Sequence, residues 1–243
     1  MVNEYESGGR VIFECEFCGF GYGDLETAER CEQYCYQHGK PSPALSQKHL
    51  RKPTHLNKVL NSQTSAFLQE FDRYEALFRK LETNRRVDLE VRLLDIGKQV
   101  RNRTRTWVRQ DLLDIASLKG LRPRMLMMKM SSPTFECRLD SALRIEDEPS
   151  RIDALCNIRG IRPVLASMVL MFTWPETCGF MDYHTCNALR QLGFDFPRKH
   201  CTSKFTVPQL LTYLRYVRRL QEYKGVGAME ITKALYAFDR IGQ

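Results

Sequence analysis

The sequence predicts a mainly α-helical body over residues 56–243, preceded by a small ββα head over residues 1–40 and a basic connecting stretch over 41–55. Three observations carry that expectation. Apolar residues recur at threes and fours from Leu56 onward, the spacing of helices that bury one face. Strand signals are confined to the first forty residues, where four of the nine cysteines also gather. The charge divides at the same place. Residues 1–40 hold three basic and eight acidic side chains, so they carry −5 of the formal +8 and leave +13 to the other 203 residues. A basic body behind an acidic head favours a polyanion as the body's partner.

The head reads VIFECEFCGFGYGDLETAERCEQYCYQHGK over residues 11–40. Cys15 and Cys18 form a CxxC knuckle in an expected hairpin. Cys31 and Cys35 fall one turn apart on an expected helix, for which Asp24 is the natural N-cap. The spacing C-x2-C-x12-C-x3-C is that of a C2H2 zinc finger with both histidines replaced by cysteine, and Tyr22 fills the aromatic position after the second ligand. Four thiolates around one tetrahedral zinc ion would supply folding energy that about thirty residues cannot draw from a core. His38 is the alternative to Cys35 as fourth ligand. The head resembles the small C2H2-like fingers at the front of many archaeal proteins. Its helix carries Asp24, Glu26, Glu29 and Glu32 against Arg30 alone, so a structural or protein-docking role is expected rather than DNA reading.

No run of 18 apolar residues occurs, and MVNEYESGGR lacks the apolar core of a signal peptide, so the sequence predicts no membrane span and a cytoplasmic, nucleoid-associated protein. The other cysteines are scattered, which fits a reducing compartment.

Residues 41–55 hold three prolines together with Lys48, Arg51 and Lys52, and read as a linker or an arm. Leu56, Val59, Leu60, Phe67, Phe71, Tyr74, Leu77, Phe78 and Leu81 predict two helices meeting near Asn61-Ser62, with the aromatics in the core. Residues 83–109 carry eight basic side chains. The run Arg101-Asn-Arg-Thr-Arg beside Trp107 is the best DNA-backbone patch of this region, through Arg101, Arg103 and Arg105. A helix follows over 111–118, then a methionine-rich helix over 125–130 whose methionines are read as core filling. One more helix is expected over 135–145, ahead of a loop whose Ser150 can cap the next. Two closing helices span 207–242.

Residues 155–193 read LCNIRGIRPVLASMVLMFTWPETCGFMDYHTCNALRQLG. An apolar turn breaks at Arg159-Gly160-Ile161 and resumes as a helix after Pro163, which suits a first helical position. The result is a helix–hairpin–helix, followed ten residues after Phe172 by a carboxylate among largely apolar neighbours, Asp182, and then Tyr183, His184 and Thr185. Asp182 reads equally as a helix N-cap.

This stretch resembles the helix–hairpin–helix DNA glycosylase superfamily, whose pattern is roughly L-P-G-V-G-x-x-T-A followed by V-D-T-H-V-x-R. Ile158-Arg159-Gly160-Ile161-Arg162 overlies the hairpin, Ala166 the small residue of its second helix, and Asp182-Tyr183-His184 the D-T-H. The resemblance implies an all-helical glycosylase-like domain in base-excision repair. Gly160, Ile161 and Arg162 would grip the backbone of duplex DNA with a flipped base. Asp182 would be the catalytic carboxylate, with His184 and Tyr183 as candidates to brace it. Three departures bear on activity. Val164 stands where bifunctional members carry a Schiff-base lysine, and no lysine occurs between Lys129 and Lys199. Arg162 replaces the second hairpin glycine, and Asn187 stands in place of the usual arginine. Cys178, Cys186 and Cys201 lack the spacing of an iron–sulfur cluster, so none is expected. The implied activity is a monofunctional glycosylase leaving an abasic site in an intact strand. The alternative is a non-catalytic DNA-binding protein built on the same scaffold, with the head as a protein-docking module.

Overall fold

The computed structural model describes residues 2–7, 9–15, 20–38, 42–50, 62–81, 83–118, 131–194, 196 and 205–241. Two compact units account for them: Met1–Asn61 with Asp147–Ser150, and Ser62–Glu146 with Arg151–Gln243.

In the first unit, β1 (Val2–Ser7) pairs antiparallel with β2 (Arg10–Cys15), which pairs antiparallel with the short β3 (Gly21–Tyr22). The expected hairpin is therefore a three-stranded sheet, since the polar run ahead of Val11 adds β1 as an outer strand. Helix α1 (Leu25–His38) follows, and Asp24 caps it by accepting the Thr27 amide at 2.7 Å. That same amide holds the Asp24 carboxyl below its usual range. The linker expectation over 41–55 changes at its near end. Ser42 caps a short helix, α2 (Pro43–Ser46), Leu45 is buried in the unit's small core, and the Leu50 amide donates to the Gly21 carbonyl. One apolar residue behind a Ser-Pro start is enough to lay this segment on the sheet and helix. The rest of the stretch, residues 51–61, lies outside the described residues.

The second unit is helical throughout its described residues. Its elements are α3 (Ser62–Gln69), α4 (Phe71–Leu81), α5 (Asn84–Arg101), α6 (Arg109–Leu118), α7 (Ser132–Leu143), α8 (Glu148–Cys156, whose first residues belong to the other unit), α9 (Pro163–Thr173), α10 (Tyr183–Gln191), α11 (Val207–Lys224) and α12 (Ala228–Ile241). A helix begins at Ser62, at the expected junction, and the helix expected ahead of it lies outside the described residues; a further break, which the periodicity does not predict, falls at Glu70. Helices α3 and α4 both turn their rings inward: Phe67 stacks on Tyr74 at 5.6 Å and meets Phe71 and Phe238 edge-on. Helix α8 begins one residue after Asp147, whose carboxylate accepts the Ser150 amide at 2.9 Å. The cap is thus Asp147, and Ser150, expected to be the cap, is the residue whose amide is capped. The methionine-rich segment at 125–130 lies outside the described residues.

Helix α9 is the axis of this unit. All eleven of its residues are buried, where the periodicity predicts one apolar face. A helix apolar all round must be surrounded, and α5, α6 and α11 pack against it. Each fully buried Val, Leu, Met or Phe on it contributes about 1.5–3 kcal/mol. Its two polar side chains are satisfied locally. Ser167 Oγ donates to the Val164 carbonyl, and Thr173 Oγ1 donates to the Val169 carbonyl while accepting from the Trp107 indole at 3.1 Å.

The crossing of α5 and α9 is set by one glycine. A Cβ at Gly97 would lie 1.8 Å from the Phe172 carbonyl oxygen, so the two backbones touch where no side chain fits. In an open helix Gly→Ala stabilises by about 1 kcal/mol. Here we predict the opposite sign: Gly97→Ala loses about 2 kcal/mol or more through overpacking, read as a lower urea midpoint with an unchanged slope.

Candidate functional site

Three constellations carry chemistry. The first lies in the head. Cys15 closes β2, and Cys31 and Cys35 project one turn apart from α1. The three Sγ atoms lie within 4.8 Å of one another and all three residues are buried. Cys31 and Cys35 are 3.8 Å apart and Cys15 and Cys35 4.0 Å, far beyond the ~2.05 Å of a disulfide. Tetrahedral ligands at a metal–sulfur distance of about 2.3 Å lie about 3.8 Å from each other. Three close cysteines can therefore hold a metal ion. Tyr22, fully buried, donates its hydroxyl to Cys31 Sγ at 3.0 Å and so fixes the position of that sulfur. Cys18 and the side chain of His38 lie outside the described residues. The exposed face of α1 carries Glu26 and Glu29, as its sequence foretells.

The second constellation is the hairpin and the acid behind it. Between α8 and α9 the chain turns through Asn157 to Arg162, and Gly160 takes φ +96°, a left-handed backbone that favours glycine. Ile158 and Ile161 plug the turn into the core at 3% and 1% exposure, and the Ile161 amide donates to the Ile158 carbonyl. Ile161 thus spends its amide inside the turn. Of the three residues expected to offer backbone contacts, Ile161 is the one whose amide the turn already uses. Arg162 is the exposed N-cap of α9 and makes no side-chain cap bond. After Pro163, the first-turn amides of Val164 and Leu165 have no intrahelical acceptor.

Asp182 caps α10 in a reciprocal box: its Oδ1 accepts the Thr185 amide at 2.9 Å while its own amide donates to Thr185 Oγ1 at 3.0 Å. The residue is 7% exposed. Its approach is pinned twice. The Met181 amide donates to Ser167 Oγ in the middle of α9, and the buried Tyr213 hydroxyl donates to the Phe180 carbonyl at 2.6 Å. Burial pushes the Cys186 thiol well up, with the Asp182 charge adding to it, and burial likewise raises the Tyr213 phenol. Both groups therefore stay protonated at neutral pH.

His184 does not brace Asp182. Its Nδ1 lies 2.7 Å from Asp239 Oδ2 on α12, and Asn187 and Gln191 donate to the other oxygen of the same carboxylate. Residues 184, 187 and 191 share one face of α10, so a helix-to-helix carboxylate clamp forms where the sequence offered a bracing histidine. Asn187, in place of the family's arginine, belongs to that clamp. Tyr183 is half-buried and packs its ring edge-on to His184. Asp239 is an acid on the face of α12 that also carries Ile231 and Leu235, a signal that an interhelical polar contact is present.

The third constellation is the turn after α5. Arg101 ends the helix and pairs with Glu176 at 2.9 Å, and Arg105 grips both oxygens of the nearly buried Asp111. Trp107 is buried and belongs to the core. Only Arg103 of the three keeps its guanidinium clear of carboxylates among the described residues, and it does so with φ +60°. The expected patch is thus narrower than the run of arginines implies. No described helix is long and apolar enough to cross a membrane. No family model, curated protein or solved structure matches the chain.

The clamp makes a definite prediction. Asp239→Ala strands three donors and costs on the order of 3 kcal/mol, whereas Asp239→Asn, which can still accept from Asn187 and Gln191, loses less than half as much in urea unfolding.

Proposed function

We propose that the helical unit binds duplex DNA through the hairpin and acts as a monofunctional DNA glycosylase, with Asp182 as its catalytic carboxylate and the head as a zinc-held module. The observation that carries the reading is the order of parts. A left-handed glycine turn opens an all-buried helix with free first-turn amides, and the next helix begins on a carboxylate tied back to that helix through Ser167. Hairpin amides at a helix N-terminus suit a phosphate, and Arg162 adds an exposed cation beside them. The remaining charge of the body supports the same partner.

In such an enzyme the target nucleotide is extruded, because C1′ is inaccessible in the stack. The C1′–N bond breaks with its electron pair leaving on the base, and positive charge grows on the sugar. A carboxylate held in a poorly hydrated site stabilises that charge and orients the water that adds to C1′. With valine at position 164 and no lysine between Lys129 and Lys199, the hairpin and the helix behind it offer no lysine for a Schiff base, so the strand is expected to stay intact.

A second reading, a non-catalytic DNA-binding scaffold, is favoured by a specific observation: Asp182 is 93% shielded and one of its oxygens is committed to the cap. One substitution separates the two. Asparagine caps a helix as well as aspartate, so Asp182→Asn keeps the fold within a few tenths of a kcal/mol while removing the charge. We expect wild-type protein to leave alkali-sensitive abasic sites in duplexes from a panel of damaged or modified bases, and Asp182→Asn to lose this activity with DNA affinity retained. Binding without any abasic product across the panel selects the scaffold.

For the head we propose zinc, because three sulfurs already sit at tetrahedral spacing and Cys18 supplies the fourth thiolate by the CxxC pattern. Protein purified under reducing conditions should carry one zinc per chain. Cys31→Ser should lose it and disorder the head alone; metal-free wild type with an intact head refutes the assignment.

A further inference from the structure

We propose that a cavity at the ends of α5, α7 and α9 is a seat for a phosphodiester of a nucleic-acid strand, with Arg103 and Arg151 as its two binding cations and Trp174 as one wall. The inference rests on the DNA-binding reading for its occupant, not on any role of Asp182.

The cavity holds about 190 Å³ and lies in the helical unit. At about 30 Å³ per water it has room for about six waters, enough for a phosphate ester with part of its sugar. Arg101, Arg103, Arg144 and Arg151 line it, with Asp140 and Glu146 as the acids. Two of the cations are already matched. Arg144 forks onto both oxygens of Asp140, and Arg101 pairs with Glu176. Arg151 pairs with no carboxylate among the described residues. It donates to the carbonyls of Ile145 and Glu146 and lies over the Trp174 ring at 4.5 Å. Its guanidinium is therefore fixed in place before any ligand arrives, which lowers the ordering cost of binding.

Arg103 is the residue whose presence the fold does not explain. The end of α5 is a Schellman turn: the Arg103 amide donates to the Val100 carbonyl and the Thr104 amide to the Gln99 carbonyl. The position after such a cap is left-handed and is ordinarily glycine. Here it is arginine at φ +60°, exposed, with its charge at the cavity mouth. A strained non-glycine backbone that glycine would relieve points to a side chain kept for what it binds.

The charge sum selects the ligand. Arg103 and Arg151 carry two uncompensated positive charges and Glu146 one negative charge, a balance that suits a monoanion. A phosphodiester carries a single charge, and a free phosphate near neutral pH carries more. Arginine forks match phosphate oxygens in pairs, and Trp174, which carries Arg151 on its ring, lines the same cavity.

The test uses the full chain with a duplex oligonucleotide, read by affinity across a salt series and by tryptophan emission. Arg103→Gly should unfold at an equal or higher urea concentration than wild type, since glycine suits the turn. It should also bind DNA about tenfold more weakly, with the slope of log K against log salt reduced by about one, the signature of one lost phosphate contact. Arg103→Asn, which also tolerates left-handed backbone, should repeat the loss, and the emission change on DNA binding should shrink in both. Wild-type affinity, slope and emission response in both variants overturn the proposal while leaving DNA binding intact. If wild type binds no duplex but dimethyl phosphate shifts its emission in an Arg103-dependent way, the seat stands and the DNA-binding reading falls. If neither probe acts, both fall. A response to inorganic phosphate stronger than to dimethyl phosphate overturns the assignment to a diester.

Discussion

The body depends on one close approach, the contact of the α5 backbone at Gly97 with the Phe172 carbonyl of α9. Once those helices touch, α9 has no solvent face left, and its apolar surface is removed from water along its whole length. The polar groups that α9 must carry then acquire fixed duties. Thr173 takes the Trp107 indole, and Ser167 takes the Met181 amide. A buried hydroxyl has few acceptors and donors to choose from, so each of these bonds fixes a neighbouring segment rather than adding general stability.

The position of Asp182 follows from that constraint. The segment from Phe180 to Asp182 is tied to α11 by Tyr213 and to α9 by Ser167 before the chain turns into α10. The carboxylate arrives as an N-cap whose geometry is set from both sides, and the clamp on Asp239 sets the axis of α10 against α12. A cap uses one carboxylate oxygen, which accepts the Thr185 amide. It means that the position would be kept for stability alone, which is why only a substitution that preserves the cap separates the roles.

The head solves a different problem. Among the described residues its buried core is Cys15, Tyr22, Ala28, Cys31, Cys35 and Leu45, with Val2, Phe13 and Phe20 packed against it, a small apolar cluster for a sheet and a helix. Half of that core is sulfur, and the three thiols converge instead of pairing into disulfides. Leu45 shows how such a unit gains from its neighbours in sequence: a short capped helix brings one more side chain to the same core.

Much of this was legible from residues alone. Periodicity placed the helices, Asp24 and Asp182 announced their caps, Pro163 marked the start of α9, and the cysteine spacing marked the three thiols that converge, because each depends on interactions within a few residues or on a short fixed spacing. The sequence could not show that α9 is buried all round, that Ile161 spends its amide inside the turn, that Arg101 and Arg105 are neutralised by Glu176 and Asp111, or that His184 serves Asp239 instead of Asp182. The break at Glu70 was likewise invisible, since apolar spacing continues through it. The sequence determined local conformation and which groups were available. Tertiary structure decided which of them remain free to bind, because a charge or an amide loses its freedom to a partner that packing brings near from a distant part of the chain.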